Sequence, residues 1–203
     1  MTSEHWDFIY RDKGRANVSW FEDRPQQSLA LITQNADSSA SVIDVGGGAS
    51  DLASELLAQG FSDVTVLDLS AQAVSHYADL NVATAIGDVR EWQPDRSFDV
   101  WHDRAVGHFM TSPLDQLGYL ATLRRAVSAS GIAIIQGFAP DGPESCSGLA
   151  VTRGFPTLAS ELLSEDFERR DAGRYVHVTP WGAEQAFEWV VLARLSTNGT
   201  IRP

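Results

Sequence analysis

The chain has 203 residues, a length that suits one domain and leaves little room for a second. It is 43% hydrophobic and 21% charged, which is ordinary for a globular protein, and its net charge of −12 disfavours a nucleic-acid partner. No apolar run approaches the roughly 20 residues that span a bilayer, the first residues lack a secretory signal, and Cys146 is the single cysteine. We therefore expect a cytoplasmic protein with no membrane partner; the oligomeric state stays open.

The first 36 residues show the pattern of two short helices joined by a loop. Trp6 and Tyr10 lie four residues apart on one face of the first predicted helix. Pro25 is typical of the start of the second helix, and Trp20 lies in the loop between the two. A polar stretch at residues 37–41 separates this region from the rest of the chain.

Strand and helix signals alternate from residue 41 onward. The predicted strands cover residues 41–45, 64–68, 83–86, 98–102, 132–138, 168–179 and 186–195, with helical segments between most of them. This alternation predicts βαβ units and a parallel sheet. Only residues 180–185 separate the last two strands, which is too few for a crossover, so these strands should form an antiparallel hairpin. We expect an α/β fold with a doubly wound, mostly parallel sheet, an antiparallel last strand and helices on both faces.

The most informative motif is Asp44-Val-Gly-Gly-Gly-Ala-Ser50, a glycine turn after the first predicted strand. Open α/β sheets bind ligands at the carboxyl ends of their strands, and glycines let the backbone approach a ligand closely. Asp51 stands where the dinucleotide fingerprint needs its last glycine, and a carboxylate there would repel a pyrophosphate. No Gly-Lys-Ser/Thr follows, so a phosphate-binding loop is also excluded. The turn predicts a nucleotide-like ligand without a pyrophosphate.

Acidic residues end the next two predicted strands. Asp68 follows the glycines by about twenty residues, where a carboxylate can accept hydrogen bonds from ribose hydroxyls; it is also a candidate helix N-cap. Asp88 ends the third strand, where it can accept from the exocyclic amine of adenine while Val89 packs on the ring; alone, it would be a turn residue. A ligand with ribose and adenine but no phosphate fits S-adenosylmethionine.

These motifs together resemble the class I S-adenosylmethionine-dependent methyltransferases. The matching segments are 42–50, 64–70, 87–88 and 98–102, in the order and spacing of that family, and the resemblance covers residues 40–195. Ser50 departs from the third glycine that the family often has. The resemblance implies a Rossmann-like sheet of seven strands, with S-adenosyl-L-methionine as cofactor and S-adenosyl-L-homocysteine as its product.

The resemblance also implies the cofactor-binding residues. It assigns Asp44, Gly46 and Gly48 to the methionine part, Asp68 to the ribose and Asp88 to the adenine. The full predicted set is Tyr10, Trp20, Asp44, Gly46, Gly47, Gly48, Asp68, Leu69, Asp88, Val89 and His102.

A weaker local resemblance is to the thiopurine and thiol methyltransferase group. Residues 98–105 are similar to the fourth-strand segment of that group, which has Asp-Arg before small residues. The spacing of Trp6, Tyr10 and Trp20 is similar to the aromatic cap that covers the cofactor there. We therefore expect residues 1–36 to form a helical cap over the active site and residues 37–203 to form one cofactor-binding domain.

Catalytic residues are predicted near the ends of the fourth and sixth strands. Asp103 and Arg104 follow the fourth strand, although Arg104 can equally form a surface ion pair with Asp103 or Asp99. His177 is the predicted general base, with His102 as a competitor.

Two further residues are predicted to bind the acceptor. His108 follows the fourth strand and also competes for the role of base, and Arg153 follows a Pro- and Gly-rich loop and can bind a carboxylate with both of its terminal nitrogens. A solvated arginine is the alternative at 153. Cys146, in the same loop, is expected to be an incidental thiol, and we expect no metal site.

The predicted function is methyl transfer to a small molecule. The chain lacks the Asn/Asp-Pro-Pro-Tyr motif of enzymes that methylate DNA adenine or glutamine. A thiol or chalcogen acceptor suits a site without a clear base, because a thiol is readily deprotonated. Two other hypotheses stay open: a protein lysine N-methyltransferase and a non-catalytic S-adenosylmethionine-binding module.

Overall fold

A computed structural model describes residues 2–196. Its N-terminal part contains helices α1 (Ser3–Lys13) and α2 (Gln26–Asn35), with a short 3₁₀ turn (Arg15–Asn17) between them. Gly14 ends α1 with a φ of +69°, which glycine adopts without strain. The predicted pair of helices joined by a loop is therefore present.

The remaining elements include the seven predicted strands and one short hairpin, at residues 145–150, that was not predicted. The strands are β1 (Val42–Val45), β2 (Val64–Asp68), β3 (Ala83–Ile86), β4 (Phe98–Arg104), β5 (Val127–Phe138), β6 (Ser145–Cys146), β7 (Leu149–Ala150), β8 (Phe167–Val178) and β9 (Glu184–Arg194). The helices are α3 (Leu52–Ala58), α4 (Ala71–Val74), α5 (Pro113–Ala126) and α6 (Phe155–Leu162), with 3₁₀ turns at Ser75–Tyr77 and Gly107–Phe109.

Seven of the strands form one sheet in the order β3-β2-β1-β4-β5-β9-β8. The strands β1 to β5 run parallel, and β9 lies between β5 and β8 and is antiparallel to both. This arrangement confirms the predicted Rossmann-like sheet with its last strand antiparallel. The parallel register brings the carboxyl ends of β1, β2 and β4 together, since Val45 pairs with Leu67 on one side and with Asp103 on the other.

Helices cover both faces of this sheet. Along β1, Val42 belongs to one buried apolar cluster, while Ile43 and Val45 belong to the cluster on the opposite face. The first cluster includes Leu29, Leu31 and Ile32 of α2, so this helix is part of the core. The expected boundary at residue 37 therefore divides a packed unit, and a cap separate from the core can only precede α2.

The fifth strand begins earlier than predicted, although the predicted bend at Gly131 is present. The strand was expected to begin at residue 132 after a turn at Gly131, whereas β5 begins at Val127, which pairs with Phe98. The register then shifts, and regular pairing with β4 resumes at Ile132, so residues 128–131 bulge out of the ladder. An added Cβ at Gly131 would come within 3.0 Å of the side chains of residues 127 and 128, which an extended strand would hold farther away. The glycine therefore serves a tight local bend.

Candidate active site

Two clefts lie where the parallel strands end. The first, of about 680 Å³, is lined by residues that include Trp6, Asp68, Leu69, Asp88, Val89, Phe109 and Cys146. The second, of about 570 Å³, is lined by residues that include Arg15, Glu22, Ser28, Asp44, Gly47 and His102. Tyr10, Trp20, Gly46 and Arg104 line both, so the two clefts are neighbouring parts of one site.

The glycine turn forms the floor between the clefts. Gly46 and Gly48 have φ values of +63° and +60°, which L side chains rarely adopt. A Cβ at Gly46 would collide with the side chain of Val106, and one at Gly48 would collide with the Tyr10 hydroxyl. The sequence suggested that these glycines make room for a ligand; here the adjoining space is filled by the chain's own side chains.

Asp44 is 2% exposed and points from β1 towards the second cleft. Its Oδ1 lies 2.7 Å from Nδ1 of His102, while its Oδ2 is buried without a hydrogen-bond partner. A buried carboxylate oxygen without a partner is costly, and a cationic ligand group would offset that cost. The second cleft therefore suits a ligand with a positively charged group.

Asp68 lies at the end of β2 and lines the first cleft. Its Oδ2 accepts a hydrogen bond of 2.9 Å from the Gly48 amide, and its Oδ1 accepts one of 2.8 Å from the Ser70 amide. The N-cap of α4 is Ser70, whose hydroxyl accepts from Ala73, so the N-cap alternative for Asp68 was wrong. Burial raises the pKa of Asp68 to about 6. Each of its oxygens keeps a lone pair for a further donor.

Asp88 also lines the first cleft, as do Leu69 and the buried Val89. Its carboxylate accepts hydrogen bonds from the guanidinium of Arg90, which also reaches Asp115 at 2.6 Å. Burial opposes the ionisation of Asp88, but the hydrogen bonds from Arg90 outweigh it and lower its pKa. Asp88 is therefore an ionised acceptor at the wall of the cleft.

Arg104 is the cation that lies between the two clefts. Its Nε donates to the Tyr175 hydroxyl at 3.3 Å, and its Nη1 donates to the Trp20 carbonyl at 3.1 Å. Its Nη2 lies 3.2 Å from Oε1 of Glu22, and the guanidinium stacks 5.1 Å from the ring centre of Phe187. The predicted alternative, a surface pair with Asp103 or Asp99, was wrong, because the side chain is only 11% exposed and pairs with Glu22.

Asp103 does not reach either cleft, although it was predicted as a catalytic residue. It is fully buried, and its oxygens accept from the amides of Val106 and Gly107 at 2.8 Å and from the Tyr119 hydroxyl at 2.6 Å. Successive residues of a strand point to opposite faces, so Asp103 faces the core while Arg104 faces the site. Its role is to hold the loop after β4.

His177, the predicted general base, is also committed elsewhere. Its Nε2 donates to the carbonyl of Ser19 at 2.7 Å, and its Nδ1 lies 3.5 Å from Oε1 of Glu22. The ring is 4% exposed and is not among the residues that line the clefts. It fastens the loop that carries Trp20 rather than facing an acceptor.

The two predicted acceptor-binding residues lie outside the clefts. His108 is fully buried against Phe109 and Phe138, with neither ring nitrogen hydrogen-bonded, and burial lowers its pKa to about 3. Arg153 is on the surface, 39% exposed and 3.5 Å from Glu144. Cys146, expected to be an incidental surface or packed thiol, is buried and also lines the first cleft. Burial raises the pKa of its thiol.

Aromatic side chains from the N-terminal region cover the first cleft. Trp6 meets Trp20 and Phe109 edge to face, with ring centres 5.7 and 5.4 Å apart, and Tyr10 meets Trp20 at 6.2 Å. We call residues 2–24 the lid. It also contacts α4, where Oδ1 of Asp7 accepts from the Ser70 hydroxyl at 2.5 Å.

Sequence reasoning missed three polar residues at the site. Glu22 pairs with Arg104, and Gln136 and Ser28 connect to His102 behind Asp44. The one visible signal was Gln136, a polar residue within an apolar strand. Glu22 and Ser28 showed none, since each meets its partner only in the folded chain.

Comparison with known proteins decides the family. A family model described as a methyltransferase domain matches residues 19–179 of this chain. The chain belongs to this methyltransferase family. A search of curated proteins found no match.

Solved structures show the same fold. A protein studied for the conversion of a disulfide bond into a thioacetal group during echinomycin biosynthesis is 18% identical, with a TM-score of 0.75; the match covers 97% of this chain and 94% of that chain. The Burkholderia thailandensis 1,6-didemethyltoxoflavin-N1-methyltransferase is 19% identical (TM-score 0.68; 92% and 80% covered). The N-methyltransferase NodS of Bradyrhizobium japonicum is 12% identical (TM-score 0.69; 93% and 99% covered).

The methyltransferase is a class I enzyme with S-adenosylmethionine as its cofactor, in agreement with the motifs on which the resemblance rested. The residues of the two clefts fit this group. The second cleft has an unpartnered buried carboxylate oxygen suited to an ammonium group, and the first has carboxylates at the ends of β2 and β3 suited to hydroxyl and amine donors. None of the helices described between residues 2 and 196 has the length and hydropathy of a membrane-spanning segment.

Proposed function

We propose that this methyltransferase transfers a methyl group to a small acceptor with an acidic nucleophilic group, a thiol or chalcogen compound being the favoured class. The observation that carries the proposal is the position of Arg104. This buried cation lines both clefts, so it can favour the anionic form of an acceptor held beside the cofactor.

We place the cofactor across both clefts. Asp44 and the glycine turn would hold the methionine part, Asp68 the ribose hydroxyls and Asp88 the adenine amine. Leu69 and Val89 supply apolar contacts, and Tyr10 and Trp20 cover the bound molecule. When bound, S-adenosylmethionine supplies a methyl group activated by its positively charged sulfur.

The lid favours a small acceptor over a peptide. Trp6, Trp20 and Phe109 enclose the first cleft, and enclosed apolar pockets with few polar groups are typical of small-molecule sites. Such walls exclude water and align an acceptor with the cofactor, which can supply a large part of the acceleration. The similar toxoflavin enzyme was solved with 1,6-didemethyltoxoflavin bound, which supports a small-molecule acceptor.

The groups that line the first cleft favour an acceptor that needs no strong base. Its titratable residues are Tyr10, Asp68, Asp88, Arg104 and Cys146. Burial raises the pKa values of Tyr10 and Cys146, so both stay protonated near neutral pH. Both ring nitrogens of His102 are hydrogen-bonded, and His108 and His177 lie outside the clefts. An acceptor that ionises readily therefore suits this site best.

The test is a panel of small thiols, carboxylates and amines, together with a lysine-containing peptide, assayed with methyl-labelled S-adenosylmethionine. We expect thiols to be labelled, and Arg104→Gln to lower kcat about tenfold or more with a smaller effect on cofactor affinity. Arg153→Gln is the matched control, and its kcat and cofactor affinity should equal those of the parent enzyme. Labelling of the peptide alone would favour a lysine methyltransferase, and binding without transfer to any acceptor would favour a non-catalytic module.

A further inference from the structure

A row of buried polar side chains begins at the wall of the second cleft, where Asp44, His102 and Ser28 line it, and extends behind it to Gln136. Asp44 on β1 and His102 on β4 are directly paired in register, and Gln136 on β5 lies on the same face of the sheet. Ser28 on α2 completes the row, and all four residues are at most 2% exposed. Closer to the amino ends of these strands, the same face is apolar, so this polar row is a local exception.

Hydrogen bonds connect these four residues in series. Nε2 of Gln136 donates to Oγ of Ser28 at 2.8 Å and to Nε2 of His102 at 3.0 Å. An amide nitrogen only donates, so Nε2 of His102 accepts, and the ring proton lies on Nδ1. That proton is donated to Oδ1 of Asp44 over 2.7 Å. Both ring nitrogens are thus committed, and His102 has none left for a ligand.

The other carboxylate oxygen of Asp44 is the last atom of this series of hydrogen-bonded groups. Oδ2 is buried, has no partner, and belongs to a residue that lines the second cleft. Turning the carboxylate would cost the hydrogen bond between Oδ1 and His102. Oδ2 is therefore the oxygen left for a donor that arrives with a ligand.

We infer that His102 and Gln136 are positioning residues that fix the Asp44 carboxylate and make the second cleft selective for a ligand with a primary ammonium group. The inference rests on the proposed placement of the methionine part of the cofactor in this cleft. It deepens that placement, because it makes the recognition of the amino group depend on the residues that hold the Asp44 carboxylate in place.

The test compares the dissociation constants of S-adenosylhomocysteine and of its analogue that lacks the α-amino group, measured by calorimetry. The parent enzyme should prefer the amine, and Asp44→Asn should abolish most of that preference. We expect Gln136→Leu and His102→Phe to reduce the preference about tenfold, the usual scale for a hydrogen bond to a charged group. His102→Asn retains a donor near Nδ1 and should restore part of it.

Gln116→Leu is the matched control, since this glutamine donates to the carbonyl of Met110 outside both clefts. It should leave the preference unchanged. If Gln136→Leu and His102→Phe weaken both ligands equally, the row is merely structural and the inference fails. If His102→Phe does not fold, Gln136→Leu, which nearly conserves volume, decides alone. A parent enzyme that binds both ligands equally would instead overturn the placement of the cofactor.

Discussion

Asp68 is an unusual carboxylate, because burial raises its pKa to about 6 while two backbone amides hold its oxygens. We place ribose hydroxyls on it, and these donate to the ionised form. As the pH falls through 6, the carboxylate gains a proton, and affinity for S-adenosylhomocysteine should fall about tenfold per pH unit below that value. The pKa of Asp88 is lowered, so Asp88 stays ionised in this range.

Asp68→Asn tests this assignment. The variant should bind S-adenosylhomocysteine about tenfold or more weakly at pH 7.5, and its affinity should no longer depend on pH between 5 and 7. Asp63→Asn is the matched control, because Asp63 lies before the opposite end of β2 and pairs with Arg96 on the surface. Unchanged cofactor affinity in the Asp68 variant, measured by calorimetry, would contradict the assignment.

The burial of His108 lowers the stability of the folded protein by an amount that depends on pH. Its fully buried ring has no hydrogen-bond partner, and burial lowers its pKa to about 3 from 6.5. Below pH 6.5 the unfolded chain binds a proton at this position that the folded protein does not, so stability is lost as the pH falls. His108→Leu should raise the free energy of unfolding, and the gain should be about 2 kcal/mol larger at pH 5 than at pH 7.5. Denaturant unfolding at both pH values tests this, and an equal gain at the two would contradict it.

The position of a carboxylate at the clefts could be predicted where it depends on local sequence. Asp44 precedes the last residue of β1 and Asp68 ends β2, and the strands and the glycine turn that place them are visible in the chain itself. Glu22 could not be predicted, because its partners Arg104 and His177 lie far along the sequence. Asp103 was misjudged for a related reason: a one-residue step along β4 decides which side chain faces the site.

At the level of elements, polar contacts hold the loop of the lid, in addition to the aromatic contacts at the first cleft. Glu22 lies 3.2 Å from Arg104 and 3.5 Å from His177, and His177 donates a 2.7 Å hydrogen bond to the Ser19 carbonyl. In α1, Ile9 is the buried residue. We propose that these contacts decide how readily the lid opens.

Glu22→Gln should therefore loosen the lid. We expect a higher KM for the acceptor, a smaller change in kcat, and faster tryptic cleavage between Arg11 and Arg24, because the ion pair that fixes the loop is lost. Asp141→Asn is the control, since it removes an exposed ion pair with Arg174 on β8. Equal cleavage rates and KM values in the parent and Glu22→Gln enzymes would show that Glu22 does not hold the lid.

Helices and strands were predicted well wherever the period of the hydrophobic residues and the turn residues indicated the same bounds. The bounds of β2 and β3 match the prediction, and the hairpin of β8 and β9 followed from its short connection. The start of β5 was not predictable, because Val127 pairs with Phe98 before the bend at Gly131, and this pairing depends on a strand that is remote in sequence. The membership of α2 in the core was also hidden, since it depends on which sheet face the helix meets.

The whole molecule combines an acidic surface with a recessed, largely apolar site. The net charge of −12 disfavours polyanionic partners but not a basic peptide. The aromatic side chains of the lid beside the first cleft favour a small acceptor over a peptide. The destination of the methyl group is therefore what has to be tested.

The most direct test incubates the purified methyltransferase with methyl-labelled S-adenosylmethionine and a cell extract separated into protein and small-molecule fractions. We expect label in the small-molecule fraction, reduced by Arg104→Gln and unaffected by Arg153→Gln. Label confined to a protein band would contradict it, and so would the absence of transfer despite tight binding of S-adenosylhomocysteine.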